Sequence, residues 1–342
     1  MTRRLAGLLF IVCTLSFPAG ASALPPSGPR LSFLRSTDSR FELVSADPLG
    51  EDQQLIAGGG TNALPLPLPL SSLSWSGDGA TVAFSGLSGD EANPQYDIYL
   101  AAADGSGVRK VPGTRDGLDP VLSPDGRTLA FIRISRRPKH KRPGHRIKLS
   151  VWIVDTSTGS VSKLGSSRRP EIPSSFSPDG AALAVTRQTG EWHSDALTID
   201  LATGRNSVLA HNASGPVYSP DGSKIAFERG PVRTFHSEGG TTTEPLTDIY
   251  VVNVDGPSLI RVTKTPHQIE LAPSWGPSGK RLAYTQFHAG ASEANFLGIG
   301  DSIMEINTDG SCRTKILSVP AAILYGATWQ PGPGREAGPI AC

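Results

Sequence analysis

Beyond its first two dozen residues the chain has no apolar run long enough to span a bilayer, which takes roughly 20 such residues. Cysteine and methionine are nearly absent, three and two among 342 residues, so no zinc-spaced Cys/His set and no dense disulfide framework organises the fold. Aromatic residues make only 6% of the chain. Neither charge sign dominates, with 32 Lys and Arg against 31 Asp and Glu, and that balance excludes a global affinity for polyanions. No Gly-rich phosphate loop and no G-x-S-x-G nucleophile elbow occurs. What is abundant is glycine and proline, 38 and 29 residues. That composition is high for a helical protein and natural for short strands joined by tight turns.

The first residues read as a secretory signal. Arg3 and Arg4 precede the apolar stretch Leu5 to Phe17, and Ala21-Ser22-Ala23 forms an A-x-A cleavage site. The expected boundaries are a leader over 1–23 and a single mature domain over 24–342. An uncleaved anchor is the alternative. Export leaves periplasm, cell surface and medium open as destinations, with no transmembrane segment once the leader is gone. Cleavage removes Cys13 and leaves Cys312 and Cys342, which in an exported protein read as one disulfide, the alternative being two free thiols.

One unit recurs along the mature chain: an apolar or aromatic residue, Ser-Pro-Asp-Gly or a variant, then a β-run containing Ala. Its copies are LSPDGRTLAF from Leu122, FSPDGAALAV from Phe176, YSPDGSKIAF from Tyr218, WSGDGATVAF from Trp75 and WGPSGKRLAY from Trp275. Their starts are 47, 54, 42 and 57 residues apart in chain order, and repeats of that length mean an array of supersecondary units. Pro presets φ for the second turn position, and Gly takes the left-handed position that closes the hairpin. Ala83, Ala130, Ala184, Ala226 and Ala283 hold one place in the strand that follows. Small residues there let neighbouring sheets approach near a crowded axis.

Third strands follow (DIYLA, VWIVD, LTID, DIYVVN, IMEIN), then short fourth strands (VRKV, VSKL, NSVL, LIRV, TKIL). Four antiparallel strands per repeat make a propeller blade. RLSFLR, from Arg30, resembles a second strand with no first strand before it, and ATWQP, from Ala327, is a first strand with nothing after it. The expected fold is therefore all-β: a six-bladed β-propeller with four antiparallel strands per blade. The C-terminal strand joins the N-terminal blade and closes the ring, so blade 1 is split between residues 30–57 and 326–331. Residues 332–342 form a tail. Such closure removes edges that would invite aggregation.

The intact Ser-Pro-Asp-Gly units, the Trp-start variants and the terminal Trp-Gln-Pro resemble the WD40-like repeats of the TolB-like six-bladed propeller family. The resemblance covers nearly all of residues 30–331. It implies the propeller fold, without the N-terminal α/β domain of the family's namesake. In that architecture Cys312 follows an outer turn of the last blade, and the 11 residues after Pro331 reach up to roughly 35 Å. A Cys312–Cys342 bond would tie down the closing strand.

Propeller geometry gathers the long connections between second and third strands on one face, and loops on a rigid scaffold carry function. The most distinctive is ISRRPKHKRPGHRIK together with the preceding Arg133. Arg133, Arg136, Arg137, Lys139, Lys141, Arg142, Arg146 and Lys148 bring eight positive charges with no acid among them. The finger is a candidate site for a protein or an anionic envelope polymer, with salt-dependent capture. Aromatics are not interleaved with it, which argues against single-stranded nucleic acid. A solvated loop is the plainer reading. Trp192 adds a candidate apolar anchor, while His193 and His236 are candidate contacts that double as scattered metal donors. No catalytic residue, resident metal or cofactor is assigned. The leading expectation is an exported, non-catalytic binding scaffold. The alternative is a propeller enzyme of lyase or lactonase type with a His/acid site at the channel mouth.

Overall fold

The computed structural model describes residues 28–37, 40–48, 51–58, 73–88, 95–135, 148–164, 169–237, 240–256, 258–289, 302–317, 323–332 and 342. The leader and the finger segment 136–147 lie outside the described residues.

Six sheets of four antiparallel strands form the ring. Blade 1 consists of β26 (Ile323–Gln330), β1 (Arg30–Thr37), β2 (Arg40–Ala46) and β3 (Gln54–Gly58). Blade 2 is β4 (Ser74–Trp75), β5 (Thr81–Ser88), β6 (Gln95–Ala102) and β7 (Arg109–Lys110). Blade 3 is β8 (Gly117–Leu122), β9 (Thr128–Ser135), β10 (Lys148–Asp155) and β11 (Val161–Lys163). Blade 4 follows as β12 (Glu171–Phe176), β13 (Ala182–Gln188), β14 (Ser194–Asp200) and β15 (Asn206–His211). In blade 5, β16 (Ala213–Tyr218), β17 (Lys224–Arg229), β20 (Asp248–Asn253) and β21 (Leu259–Arg261) pair in order. Blade 6 is β22 (Gln268–Trp275), β23 (Arg281–His288), β24 (Ser302–Asn307) and β25 (Thr314–Leu317). No helix occurs among the described residues.

The split blade is present as expected. β26 pairs antiparallel with β1, Trp329 opposite Leu31 and Gln330 opposite Arg30. It begins at Ile323, earlier than the Trp-Gln-Pro signature alone locates it. One element was not foreseen. The connection between β17 and β20 folds back as a two-stranded ribbon, β18 (Val232–Ser237) with β19 (Gly240–Pro245), bonded to no other sheet. Its Thr-rich stretch lacks the apolar alternation that marks a strand packed on a core, so nothing in the periodicity flagged it.

The repeat turn is a small hydrogen-bonded box. In blade 3 the Ser123 hydroxyl donates to Asp125 at 2.6 Å and accepts from the Thr128 amide at 2.9 Å. Ser76, Ser177 and Ser219 build the same box in blades 2, 4 and 5. The closing glycines, among them Gly79 and Gly126, are left-handed at φ 67° and 71°. At Gly79 closeness matters as well as φ. A Cβ there would sit 1.8 Å from the Pro331 carbonyl oxygen, because the closing strand ends against this turn. The Gln330 amide donates to the Gly79 carbonyl at 2.6 Å and joins blade 1 to blade 2.

The blade alanines are buried where expected. Ala83, Ala130, Ala184, Ala226 and Ala283 are all inaccessible, and four of them pack with the next blade: Ala83 with Leu122, Leu129 and Phe131, Ala130 with Phe176, Ala226 with Trp275 and Ala283 with Leu31 and Trp329. Serine hydroxyls stitch first strands together around the axis. Ser74 accepts from the Leu122 amide at 2.8 Å, Ser175 from Tyr218 at 2.9 Å and Ser274 from Trp329 at 2.9 Å. Cys312 and Cys342 form a disulfide with Cα atoms 4.9 Å apart.

Two outcomes are expected. Cys342→Ser opens a loop of 30 residues and lowers unfolding free energy by about 3–4 kcal/mol on the chain-entropy model, measured by urea unfolding against wild type. The second concerns acid. Asp78, Asp125, Asp179 and Asp221 are held below the ordinary carboxylate value, first by the Ser hydroxyl and then by a backbone amide, Asp221 at about 2. Values depressed by folding add stability that is fully present above the unfolded value of about 4. It is lost as pH falls through the folded values. The urea midpoint therefore drops between about pH 4 and pH 2, and combined alanine substitution of Ser123, Ser177 and Ser219 shrinks that drop.

Candidate functional site

Six first strands around one axis leave a central cavity of about 760 Å³, lined by residues of every blade. That size is typical of ligand pockets. At the end bearing the repeat turns the wall is aromatic and proline-rich, with Trp275, Trp329, Pro220 and Pro331 shared with a smaller cavity of about 310 Å³. Toward the long-connection face the wall becomes polar.

The polar tier follows from an irregularity repeated in the first strands. The register slips between Leu118 and Val121, Pro173 and Ser175, Ser214 and Val217, and Leu271 and Ser274. Asp119, Gly215, Ala272 and Gly326 each lie three residues before the strand's last core residue and adopt positive φ of 50°, 58°, 54° and 48°. Such bulges turn backbone amides out of the ladder, and a buried amide needs another acceptor. Two get it from the preceding blade. Thr186 Oγ1 accepts from Gly215 N at 2.9 Å, and Glu228 Oε1 accepts from Ala272 N at 2.6 Å.

Thr186 and Glu228 share one position, two residues after the blade alanine, which Ser85, Ile132 and Thr285 hold in the other repeats; the Ser85 and Thr285 hydroxyls are buried there without a hydrogen-bond partner. The apolar exception is informative. Ile132 faces blade 4, whose bulge residue is Pro173, and proline has no amide to satisfy.

Glu228 is the outlier of the tier, a carboxylate where neighbouring blades carry hydroxyls. It is 8% exposed and also accepts the Ser214 hydroxyl at 2.9 Å. Burial pushes its pKa up, against the two hydrogen bonds that pull it down. A Cβ on Gly215 would meet Glu228 Oε1 at 2.8 Å, so glycine makes room for the carboxylate. Asp119, also buried, and Tyr218 are the other ionisable residues of the described lining, which includes no Lys, Arg, His or Cys.

The residues expected from sequence at the loop face are not gathered in this channel. Arg133 sits in β9, its guanidinium 4.3 Å from the Trp152 ring centre and 5.3 Å from that of Phe131, and it donates to the Gly113 carbonyl. Burial lowers its pKa, partly offset by Asp116. Lys148 opens β10 opposite Ser135. Arg136, Arg137, Lys139, Lys141, Arg142 and Arg146 lie outside the described residues. Trp192 is partly buried and His193 exposed in the tight β13–β14 connection, where the His193 carbonyl accepts the amides of Thr189 and Gly190. His236 stands in β18 opposite Thr241. His211 Nδ1 lies 2.9 Å from Asp195. Among the described residues no three His, Cys, Asp or Glu side chains are placed to hold a metal.

Sequence reading passed over Asp119, Thr186, Glu228 and Thr285. The signal was present in the aligned repeat, as polar residues two places after an invariantly small one. Only the neighbouring blade's bulge gives that position meaning.

Ring closure, repeat and axial cavity define a six-bladed β-propeller of WD40-like repeats. No protein-family model matches the chain. It is 28% identical over 337 residues to "Protein TolB homolog" of Chlorobium luteolum, covering 86% of this chain and 72% of that one. It is 24% identical over 273 residues to "Tol-Pal system protein TolB" of Francisella tularensis subsp. tularensis, covering 78% of this chain and 56% of that one. The chain thus spans little more than half of the Francisella relative. Among solved structures, TolB from Acinetobacter baumannii superposes with a TM-score of 0.65 at 20% identity, over 89% of this chain and 67% of that one. A putative TolB from Agrobacterium tumefaciens gives 0.58 at 17% identity, over 89% and 99%. The chain is a six-bladed β-propeller similar in sequence and fold to TolB proteins.

The tier's logic gives a paired prediction. Thr186→Val leaves the Gly215 amide without its acceptor and costs about 1–3 kcal/mol. Ile132→Thr places a hydroxyl where Pro173 offers no donor and also destabilises. Urea unfolding of both variants checks the pair, and a neutral Thr186→Val would contradict it.

Proposed function

We propose that the chain is an exported, non-catalytic binding scaffold that engages a protein or an anionic envelope partner through its long-connection face. The observation carrying this reading is the asymmetry of the ring. Short, boxed turns occupy one face, while the other bears the long connections, the β18–β19 ribbon and the mouth nearest the polar tier. The described channel lining supports holding a ligand rather than proton transfer between paired groups, since Asp119 and Glu228 project from separate blades without a histidine or lysine beside them. A relative is named as a Tol-Pal system protein, and the leader read from the sequence over 1–23 agrees with export to the periplasm, cell surface or medium.

In this reading the basic finger supplies the long-range attraction. Arg136, Arg137, Lys139, Lys141, Arg142 and Arg146 concentrate positive charge that salt screens over about 8–10 Å near physiological ionic strength. Arg133, stacked within blade 3, anchors the base of the finger, and Trp192, His193 and His236 contribute contacts on the same face.

The test is a pull-down of envelope components by the mature protein beside a variant with residues 135–146 replaced by a Gly/Ser linker. Binding that weakens as salt rises and is lost in the variant is the expected result. Equal binding by both proteins, or binding by neither, would remove the finger from the proposal.

A further inference from the structure

A carboxyl buried at the loop-face end of a first strand needs a compensating partner, and two blades supply it differently. In blade 4 the carboxyl is Glu171, and the residue opposite it in the ladder is Arg187, whose guanidinium lies 2.7 Å away. In blade 6 the carboxyl is the inaccessible Glu270, and the residue opposite is Gln286, a neutral donor at 3.2 Å. Thr265 also donates to Glu270 Oε1, at 2.6 Å, while Oε2 is buried without a hydrogen-bond partner among the described residues. Asp248, the neighbouring carboxyl of blade 5, is engaged by Arg261. The cation that compensates Glu270 is Arg313, 3.9 Å from Oε1. Arg313 is held there through its Nε, which donates to the buried Tyr284 hydroxyl at 2.7 Å.

What places Arg313 is the turn before it. That turn repeats one in blade 2: the Ser311 amide donates to Asp309 at 2.8 Å, as the Ser106 amide does to Asp104 at 2.8 Å. The next residue is left-handed in both, Gly107 at φ 63° and Cys312 at φ 55°. Glycine adopts that conformation freely, whereas a residue with a Cβ resists it. Cys312 is instead tied to the exposed Cys342. We propose that this disulfide is a redox-sensitive latch: it holds Cys312 in the left-handed turn that aims Arg313 at Tyr284 and Glu270, and its reduction opens the junction of blades 5 and 6. A dithiol reductant reaches the bond at Cys342. Each protein sulfur then takes up one electron and one proton, and the reductant's two thiols close into a disulfide. Cys312 relaxes out of the left-handed region, and Arg313, whose side chain is already 34% exposed, withdraws to solvent. Glu270 is left buried without its cation, beside the bonds that join the two blades. Those are the Glu270 amide to the Thr247 carbonyl at 3.1 Å and the Thr247 hydroxyl to the Glu270 carbonyl at 2.8 Å. This inference goes beyond the binding-scaffold reading and does not depend on it.

The experiment follows hydrogen–deuterium exchange in the oxidised protein, in the same protein reduced with dithiothreitol, and in Cys342→Ser. Exchange in peptides covering 247–250 and 268–272 is expected to speed up about tenfold or more on reduction, the size of one charge-assisted hydrogen bond. A disulfide that only staples the chain would instead loosen the closing strand, Ile323–Gln330, and leave the junction protected. Adding Cys312→Gly to Cys342→Ser supplies a residue at ease in the left-handed turn. It is expected to slow exchange at the junction again while the closing strand stays loose. Glu270→Gln removes the charge that needs Arg313 and is expected to make the junction indifferent to reduction. Arg313→Met, with the disulfide intact, is expected to open the junction alone, and it decides the matter if reduction unfolds the whole ring. Faster exchange confined to the closing strand, no response to reduction, failure of glycine to rescue a folded Cys342→Ser protein, or a protected junction in Arg313→Met would each overturn the proposal.

Discussion

Closing six sheets into a ring forces six first strands to run beside one another around a single axis, and that crowding governs the rest of the molecule. It admits only small residues at that place in the second strands, a fully buried alanine in blades 2 to 6 and the buried Ser32 in blade 1. It leaves no room for a side chain at Gly79, where the closing strand ends. It also breaks the first strands out of regular pairing, five of the six slipping register in their ladders. The bulge amides of Gly215 and Ala272 are satisfied from the adjacent blade rather than from their own sheet. Ring integrity and channel chemistry are therefore consequences of one packing constraint.

That link explains why the channel wall is unevenly polar. A hydroxyl or carboxylate stands two residues beyond the blade alanine in four blades, and an isoleucine stands there where the opposing bulge residue is a proline. Glu228 shows how a structural position acquires chemistry. The site needed an acceptor for the Ala272 amide, and the sequence supplies one that is also ionisable, buried and open to the cavity. The opposite end of the axis is different in kind. There the repeat turns close with prolines and tryptophans, and Arg281 stacks 4.5 Å from the Trp329 ring centre while pairing with Glu305 at 2.7 Å. One end is fastened and the other is free to read a partner.

The two faces divide labour in the same way. Each turn box fixes an aspartate through its own serine, so those carboxylates act within the turn and offer little to a partner. The long connections differ in length and sequence from blade to blade, whereas the turn boxes repeat. The TolB relatives and solved structures compared are 17–28% identical to this chain.

Blade number, strand order, the split first blade and the turn boxes were legible in the sequence, because each is set by residues close together in the chain. Ser-Pro-Asp-Gly specifies its turn locally, and a two-residue period specifies which side of a strand faces the neighbour. The Cys312–Cys342 pair was legible for a related reason, as two cysteines leave one pairing. The ribbon β18–β19 was not, since its polar strands lack the apolar alternation that betrays packing. Neither was the site. Asp119, Glu228 and Thr285 are scattered over more than 160 positions, and only the ring brings them around one cavity. What Glu228 does depends on an amide 44 residues away in the next blade, a partner that no local pattern can name. The sequence by itself determined the repeat and hence the ring. Only the tertiary structure decided which of its polar residues face the axis, because that depends on where the neighbouring blade leaves an amide unsatisfied.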